Sequence, residues 1–537
     1  MDRIEAVGNP GLMFAGSIER SQASAGPSRQ WRVAATLLAL LTAGCTGQSS
    51  PAVQTVGVDP WVARAPVLVQ APSGPDATSP PASLDPLPLP PSPTPDPPRP
   101  TPEVRTEPLT YVVQRGDSLG LIASRFEVSP EHILDANGLA NPNVLSVGQI
   151  LTIPAPALEP LGSTLKIIPD SELVYGPATI GFDLISFSKE GAGYLDSYVQ
   201  EVEGRDLSGP ALVQLVAQRY AVNPRLLLAL LEYQSGWVTS TQVSAISRIY
   251  PMGFVSAGWE GLWSQLSWAA DTLNEGYYRW KAGWNGPYLL ADRTAIIPGS
   301  GINAGTAAVQ HLFSQVYGTA AWSRAVDSSG FPVRYASMFG SPFSRAVEPL
   351  VPSDLEQPEF QLPIEDEAVW SLTSGPHSAW GSGSAWAALD FAPPGNALGC
   401  VPSSEWVVAA ADGLIVRSDL GEVVQDLDGD GFEQTGWVIL YMHVGSGDRI
   451  PFGARVRAGD RLGHPSCEGG ISSGTHLHMA RRYNGEWIPA DGILPFVMDG
   501  WVSGGLGTQY DGTMSRGDVV LEACGCRNDE NQISRGR

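Results

Sequence analysis

From Ala71 to Pro108 the chain is so rich in proline that it admits neither a helix interior nor a central strand, and this run dictates how everything else must fold. It is densest between Pro86 and Pro98, where polyproline II would extend the backbone by about 3.1 Å per residue. Residues 46–108 therefore read as a linker that holds folded parts away from the N-terminus. At 537 residues the chain is too long for one core, and domains of about 100 to 200 residues imply about three folded units. The formal net charge of -23 excludes a nucleic-acid partner, because phosphate binding needs clustered Lys and Arg.

Ahead of the linker, Arg29 and Arg32 precede an apolar run, Val33 to Leu41, that suits a secretion signal and is too short to span a bilayer. It ends in Leu41-Thr42-Ala43-Gly44-Cys45, which resembles the bacterial lipobox. The resemblance implies lipidation at Cys45, a signal region at 1–45, and an exported protein lipid-anchored to the outer face of the membrane or cell envelope. Setting Cys45 apart leaves Cys400, Cys467, Cys524 and Cys526, an even number in the last third of the chain.

Residues 109–155 carry a β-rich start at Tyr111-Val112-Val113, a Gly116-Asp117-Ser118-Leu119 turn, two short helical runs and a closing strand at Gln149 to Pro154. With Ile122, Ala123, Phe126, Ile133, Asn137 and Gly148, this segment resembles the LysM domain. The resemblance implies a βααβ fold and binding to N-acetylglucosamine-containing glycan. It assigns ligand contact to Gly116, Asp117, Ser118 and Leu119.

Over 165–360 apolar residues recur at helical spacing: Leu212, Leu215, Val216 and Tyr220, then Leu226, Leu227, Leu230 and Leu231, with Pro224 where a helix can start. An all-α domain is expected. Val222 to Trp237 is similar to the opening of lytic transglycosylases and other lysozyme-like enzymes, whose catalytic Glu falls here at Gln234. An amide cannot protonate a glycosidic oxygen, and Glu232, two residues earlier, points from a different helical face. The domain is therefore expected to be lysozyme-like and inactive. Trp259, Trp263, Trp268, Tyr277, Tyr278, Trp280 and Trp284 read as core before they read as sugar platforms.

Residues 366–500 switch to short strands and glycine turns: Asp412-Gly413 between two runs signals a hairpin, and Trp437 to Val444 alternates across a sheet. An antiparallel all-β domain is expected, followed by a tail at 501–537. Five of the seven histidines lie in this last third. His476-Leu477-His478 puts two imidazoles on one strand face; His443 is expected on the Trp437 strand with Ile439 and Tyr441; His377 sits in a Gly-Pro-His-Ser loop. Catalytic Zn²⁺ takes three N and O ligands and keeps one position open, and Asp390 is the natural carboxylate.

This order, an early His, an Asp, a strand His and a late His-x-His, resembles the LytM and lysostaphin-like M23 metallopeptidases. In their commonest branch the first His stands four residues before the Asp, a position held here by Trp386. The longer spacing from His377 to Asp390, the following Ser378 and the Gly381-Ser382-Gly383 run are similar to the beta-lytic and staphylolytic branch. The resemblance implies that His377, Asp390 and His478 bind zinc while His443 and His476 act as the catalytic pair. Taken singly, His464 and His311 read as packing residues.

Asp426, Asp428 and Asp430 match the first half of a calcium-binding EF-hand loop, but its twelfth position is Trp437, so a plain acidic turn stands beside a Ca²⁺ site. Cys400 and Cys467 flank the proposed site, and export favours a disulfide over a metal role; spacing does not fix the pairing among the four late cysteines. The parts together describe a peptidoglycan hydrolase, a zinc endopeptidase cutting peptide stems or cross-bridges. The alternative is a non-catalytic wall-binding adaptor that activates another hydrolase.

Overall fold

The computed structural model describes residues 107–536 apart from 127, 140, 142, 143, 156, 157, 160, 161, 285 and 397. Cys45, the signal region and nearly all of the proline-rich linker lie outside the described residues. Among the described residues no helix is long and apolar enough to cross a membrane.

The first unit has the expected βααβ order: Leu109–Val112 pairs antiparallel with Ile150–Ile153, and helices Leu119–Arg125 and Pro130–Asn137 lie between. Each helix starts on a serine that accepts a free first-turn amide, Ser118 from Leu121 and Ser129 from His132. Leu119, only 2% exposed, packs with Ile122, Ala123, Ile133, Leu151 and Ile153. Its assignment as a glycan contact is corrected, since it is the first buried residue of its helix. Gly116 has φ 94°, which favours glycine, and Asp117 pins the turn by accepting from the Tyr111 hydroxyl (2.7 Å) and the Gln114 amide (2.8 Å).

The middle region is built on helices Gly209–Tyr220, Pro224–Ser235, Leu262–Lys281 and Ala304–Val316. Asn223 caps the second, Pro224 occupies its first turn, and Gly236 at φ 69° ends it. Every residue from Pro224 to Glu232 is buried, as a helix apolar on all sides must be. The expectation of an all-α domain is corrected: Val199–Val202 and Arg205–Ser208 form a hairpin, and Leu158–Glu159, Ala295–Ile296 and Tyr288–Leu289 form a small sheet. These strands are too short to show an alternating pattern. Trp268, Tyr277 and Tyr278 are core, with Phe254 stacked on Trp268 at 4.5 Å.

The last unit is a nine-stranded sheet. Its main path runs Arg455–Val456, Gly413–Asp419, Glu422–Asp426, Trp437–Met442, Leu477–Tyr483, Ala388–Ala392, Trp370–His377 and Gln532–Ile533, with every pairing antiparallel. Both faces are covered, which is why Trp437–Met442 is buried throughout. Val438, Leu440 and Met442 face the helical region in one core with Ala388, Ala480 and Trp487. Ile439 and Tyr441 face the other way, with Leu389, Phe391, Leu477 and Met479.

The stretch expected to be a tail, 501–537, is part of the fold over its described residues, 501–536. Val497–Met498, Trp501–Gly505, Gly512–Arg516 and Val519–Glu522 form a second sheet, and Gln532–Ile533 closes the edge of the first. Trp501, Met514 and Leu521 bury their side chains in the second face's core; separated by glycine and polar residues, they form no run that sequence alone would flag.

Candidate metal centre

Strand register brings the ligands together. His478 lies directly across from Asp390, and Asp390 across from Ser374 on the neighbouring strand. The register slips between Ser374 and His377, so the Gly375-Pro376 insertion turns His377 toward the same point. Gly375 is needed there because the backbone of Gly512 passes so close that a Cβ would clash.

His377 Nε2 and His478 Nδ1 each lie 3.2 Å from Asp390 Oδ1 and 3.0 Å from one another. All three residues are buried. The opposite ring nitrogens are engaged: His377 Nδ1 donates to the Gly375 carbonyl (2.9 Å) and His478 Nε2 to the Ala379 carbonyl (3.0 Å). With both N–H groups so used, the two nitrogens that face each other present lone pairs, and neither can donate to the other. Asp390 Oδ1 is buried and accepts no hydrogen bond. Three acceptors at 3.0–3.2 Å in one buried pocket need a shared cation. Ligands about 2.0–2.2 Å from a tetrahedral zinc stand about 3.3–3.6 Å apart, a few tenths of an ångström from these separations, so the residues present fit that ion.

The second pair flanks this point. His476 Nε2 is 3.7 Å from Asp390 Oδ1, and its Nδ1 donates to the Gly474 carbonyl (2.7 Å). The His443 ring centroid is 4.5 Å from that of His476, and His443 Nδ1 donates to the Glu468 carbonyl (3.0 Å). Both therefore offer a free Nε2. One expectation is corrected here: His443 is not in the pleat with Ile439 and Tyr441 but follows the strand's last residue, Met442, at φ 65°. The left-handed residue turns the imidazole off the core side and toward His476.

Electrostatics follow the burial. Desolvation works to raise Asp390, but the electrostatic influence of the surrounding imidazoles, His377 first and then His478 and His476, outweighs it and holds the carboxyl well below the usual carboxylate range. Burial, then His476 and His478, pushes His443 down to about 3, so that it stays neutral.

Sequence reasoning missed Tyr510, whose ring stacks on His377 at 4.7 Å and whose backbone exchanges hydrogen bonds with Gly375 and Pro376. It lay in the supposed tail; its left-handed φ of 75° leaves no trace in composition. Cys400 and Cys467 form the expected disulfide, and Cys524 pairs with Cys526. His464 is apart from the centre, packed against Trp406 with ring centroids 3.9 Å apart and planes tilted by 43°, and His311 contacts Glu275 at 3.2 Å. Glu232 is fully committed, accepting from the Val238 and Thr239 amides and the Thr239 hydroxyl. Asp426, Asp428 and Asp430 bring one oxygen each within 4.8 Å of the others. Asp426 already accepts from the Asp428, Gly429 and Gly431 amides.

Residues 166–352 match the family model described as the LasA N-terminal domain, and residues 111–154 match the LysM domain. Protease LasA of Pseudomonas aeruginosa is 26% identical over 296 residues, covering 51% of this chain and 66% of LasA. The beta-lytic metalloendopeptidase of Achromobacter lyticus is 28% identical over 167 residues, covering 29% of this chain and 41% of that enzyme. The chain thus spans just under two thirds of LasA and less of the other. Among solved structures, the M23 metalloprotease pseudoalterin, described as from the deep sea, is 25% identical with a TM-score of 0.27, covering 31% of this chain and 96% of its own. The chain is a relative of the LasA and beta-lytic M23 metalloendopeptidases that carries a LysM domain ahead of a LasA N-terminal domain.

Proposed function

We propose that the chain is an exported zinc endopeptidase that cuts peptide stems or cross-bridges of peptidoglycan, kept at its polymer by LysM binding to glycan. The observation that carries this is the convergence of His377 Nε2, Asp390 Oδ1 and His478 Nδ1 at 3.0–3.2 Å, each lone pair unopposed by a donor. When bound, zinc supplies Lewis acidity to the scissile carbonyl and acidifies water at its open position. The chain's own residues do the rest. The Gly375 and Ala379 carbonyls fix the tautomers of His377 and His478, and Asp390 supplies the negative charge. His443 and His476, each with Nδ1–H held by a backbone carbonyl, present Nε2 to take a proton from the attacking water and pass one to the leaving amine.

The finer parts of the reading are proposals on the same footing. Gly116, Asp117 and Ser118 form the LysM turn that meets N-acetylglucosamine units, and LysM tethering would raise the peptidase concentration at the wall. Cys45 carries the lipid anchor. Calcium at Asp426, Asp428 and Asp430 would show as a rise in Tm on adding Ca²⁺; an unchanged Tm leaves an acidic turn.

The test uses the purified full chain. It should hold about one zinc and release new amino termini from walls, both lost on chelation and with His478→Ala. A folded chain that binds no zinc at micromolar concentration replaces this reading with the adaptor one.

A further inference from the structure

The metal ligands project from the sheet face that the helical region covers. His478 continues the row of Ala480, and Asp390 that of Ala388, both in the core shared with the helices. Between His377 and this core runs the loop 378–385, held within itself by Ala379 N–H to the Ala385 carbonyl (3.1 Å) and Trp380 N–H to Ser384 Oγ (3.0 Å). Its Ala379 carbonyl is the acceptor that fixes His478 with Nδ1 toward the metal. The loop is fastened from outside by the helix Leu262–Lys281: Asp271 Oδ2 accepts from the Ser382 hydroxyl (2.6 Å) and Oδ1 from the Gly383 amide (2.8 Å). A Cβ at Gly383 would run into the Asp271 backbone carbonyl, so the loop is pressed against the helix. Beside it Arg219 lies over the Trp380 ring at 4.9 Å.

We infer that Asp271, on a helix of the LasA-like N-terminal region, is a positioning residue for the metal centre: by holding Ser382 and Gly383 it sets the Ala379 carbonyl and through it the tautomer and aim of His478. The inference rests on the metal-centre reading above. It makes the N-terminal region a working part of the centre, because a ligand of the last unit is oriented by a carboxylate of the one before. Asp271 has no partner from the ligands themselves, so its effect on them passes through the loop alone.

The experiment compares the full-length wild type with Asp271→Ala, Asp271→Asn and Gly383→Ala. Tyr277→Phe, which removes a different contact between the same regions at Glu486, is the control. Two readouts are used: zinc affinity by chelator competition, and the ring nitrogen signals of His478 in histidine-labelled, metal-free protein. Loss of such outer partners typically lowers metal affinity about 10–100-fold. Asp271→Ala and Gly383→Ala should each show that loss, with the His478 signals shifting from the Nε2–H form toward a tautomer mixture. Asp271→Asn, which keeps an acceptor, should recover most of both, and Tyr277→Phe should change neither. Wild-type zinc affinity and an unmoved His478 tautomer in Asp271→Ala would overturn the inference. If the wild type itself binds no zinc, the metal-centre reading fails, while the metal-free tautomer comparison still decides the role of Asp271.

Discussion

In the proposed mechanism, holding the metal and moving protons fall to different side chains, so single substitutions should separate them. Asp390→Asn removes the one negative charge among the ligands, and His478→Ala removes a lone pair; both should release zinc and abolish cleavage. His443→Ala leaves all three ligands in place. Its zinc content should stay near one per chain while turnover falls about 10²- to 10⁴-fold, the usual worth of a positioned proton-transfer group. Metal analysis beside a cleavage assay checks the split, and loss of zinc in His443→Ala would show that the imidazole is a ligand. The grouping of His377, Asp390 and His478 followed from the family resemblance that residue order and the i, i+2 spacing of His476 and His478 carried. The conformation of His443 was not legible in the sequence, because a left-handed residue at the end of a strand is set by tertiary packing and not by any local pattern.

At the scale of elements, the rim of the centre depends on a covalent tie. Cys400 and Cys467 join two loops 67 residues apart in sequence, and Thr475, next to His476, bonds to the Cys400 loop through the Gly399 and Val401 carbonyls. Closing a loop of this size removes unfolded-state entropy worth about 4 kcal/mol in the chain-entropy model. The double variant Cys400→Ser, Cys467→Ser should therefore lose about 2–4 kcal/mol of stability, read from denaturant midpoints, with zinc still bound because neither cysteine is a ligand. An unchanged midpoint would mean that the hydrogen bonds alone hold the rim. Strand and helix identities followed from periodicity where elements were long, as in the helix after Pro224 and the strand after Gly436. They failed for Val199–Ser208 and for the sheet beyond Val497, whose strands are short and interrupted by glycine and polar residues. Both faces of the main sheet are covered, so its buried strand ran apolar on both sides, and the pattern alone did not show which face would carry the site.

Across the whole molecule, helical region and sheet are joined by a run of charges that is buried or nearly so except at its Glu203 end. Arg219 Nε bonds Glu422 at 2.6 Å and its Nη1 meets Glu203 at 2.8 Å. Glu422 also meets Arg417; Arg417 reaches Glu433 at 3.2 Å; and Glu433 meets Arg482. Three guanidiniums face three carboxylates, so the run is balanced, and deleting one carboxylate leaves a buried positive charge uncompensated. Such a loss typically costs about 3–5 kcal/mol. Glu433→Gln should destabilise the chain by about that much at pH 7. Burial works to raise the Glu433 carboxyl, but Arg417 and Arg482 outweigh it and hold it below its ordinary 4.5. A carboxyl depressed in the fold contributes its full stabilisation above the unfolded pKa and loses it as pH falls through the folded value. The gap between wild type and Glu433→Gln should therefore be constant from pH 7 to about 5 and narrow below 4.5, as the wild type loses what the variant never had. Denaturant midpoints at pH 7, 5, 4 and 3 measure it. A gap that stayed the same width into acid would mean that Glu433 acts by packing and hydrogen bonding, with its charge contributing nothing to the join between the two regions.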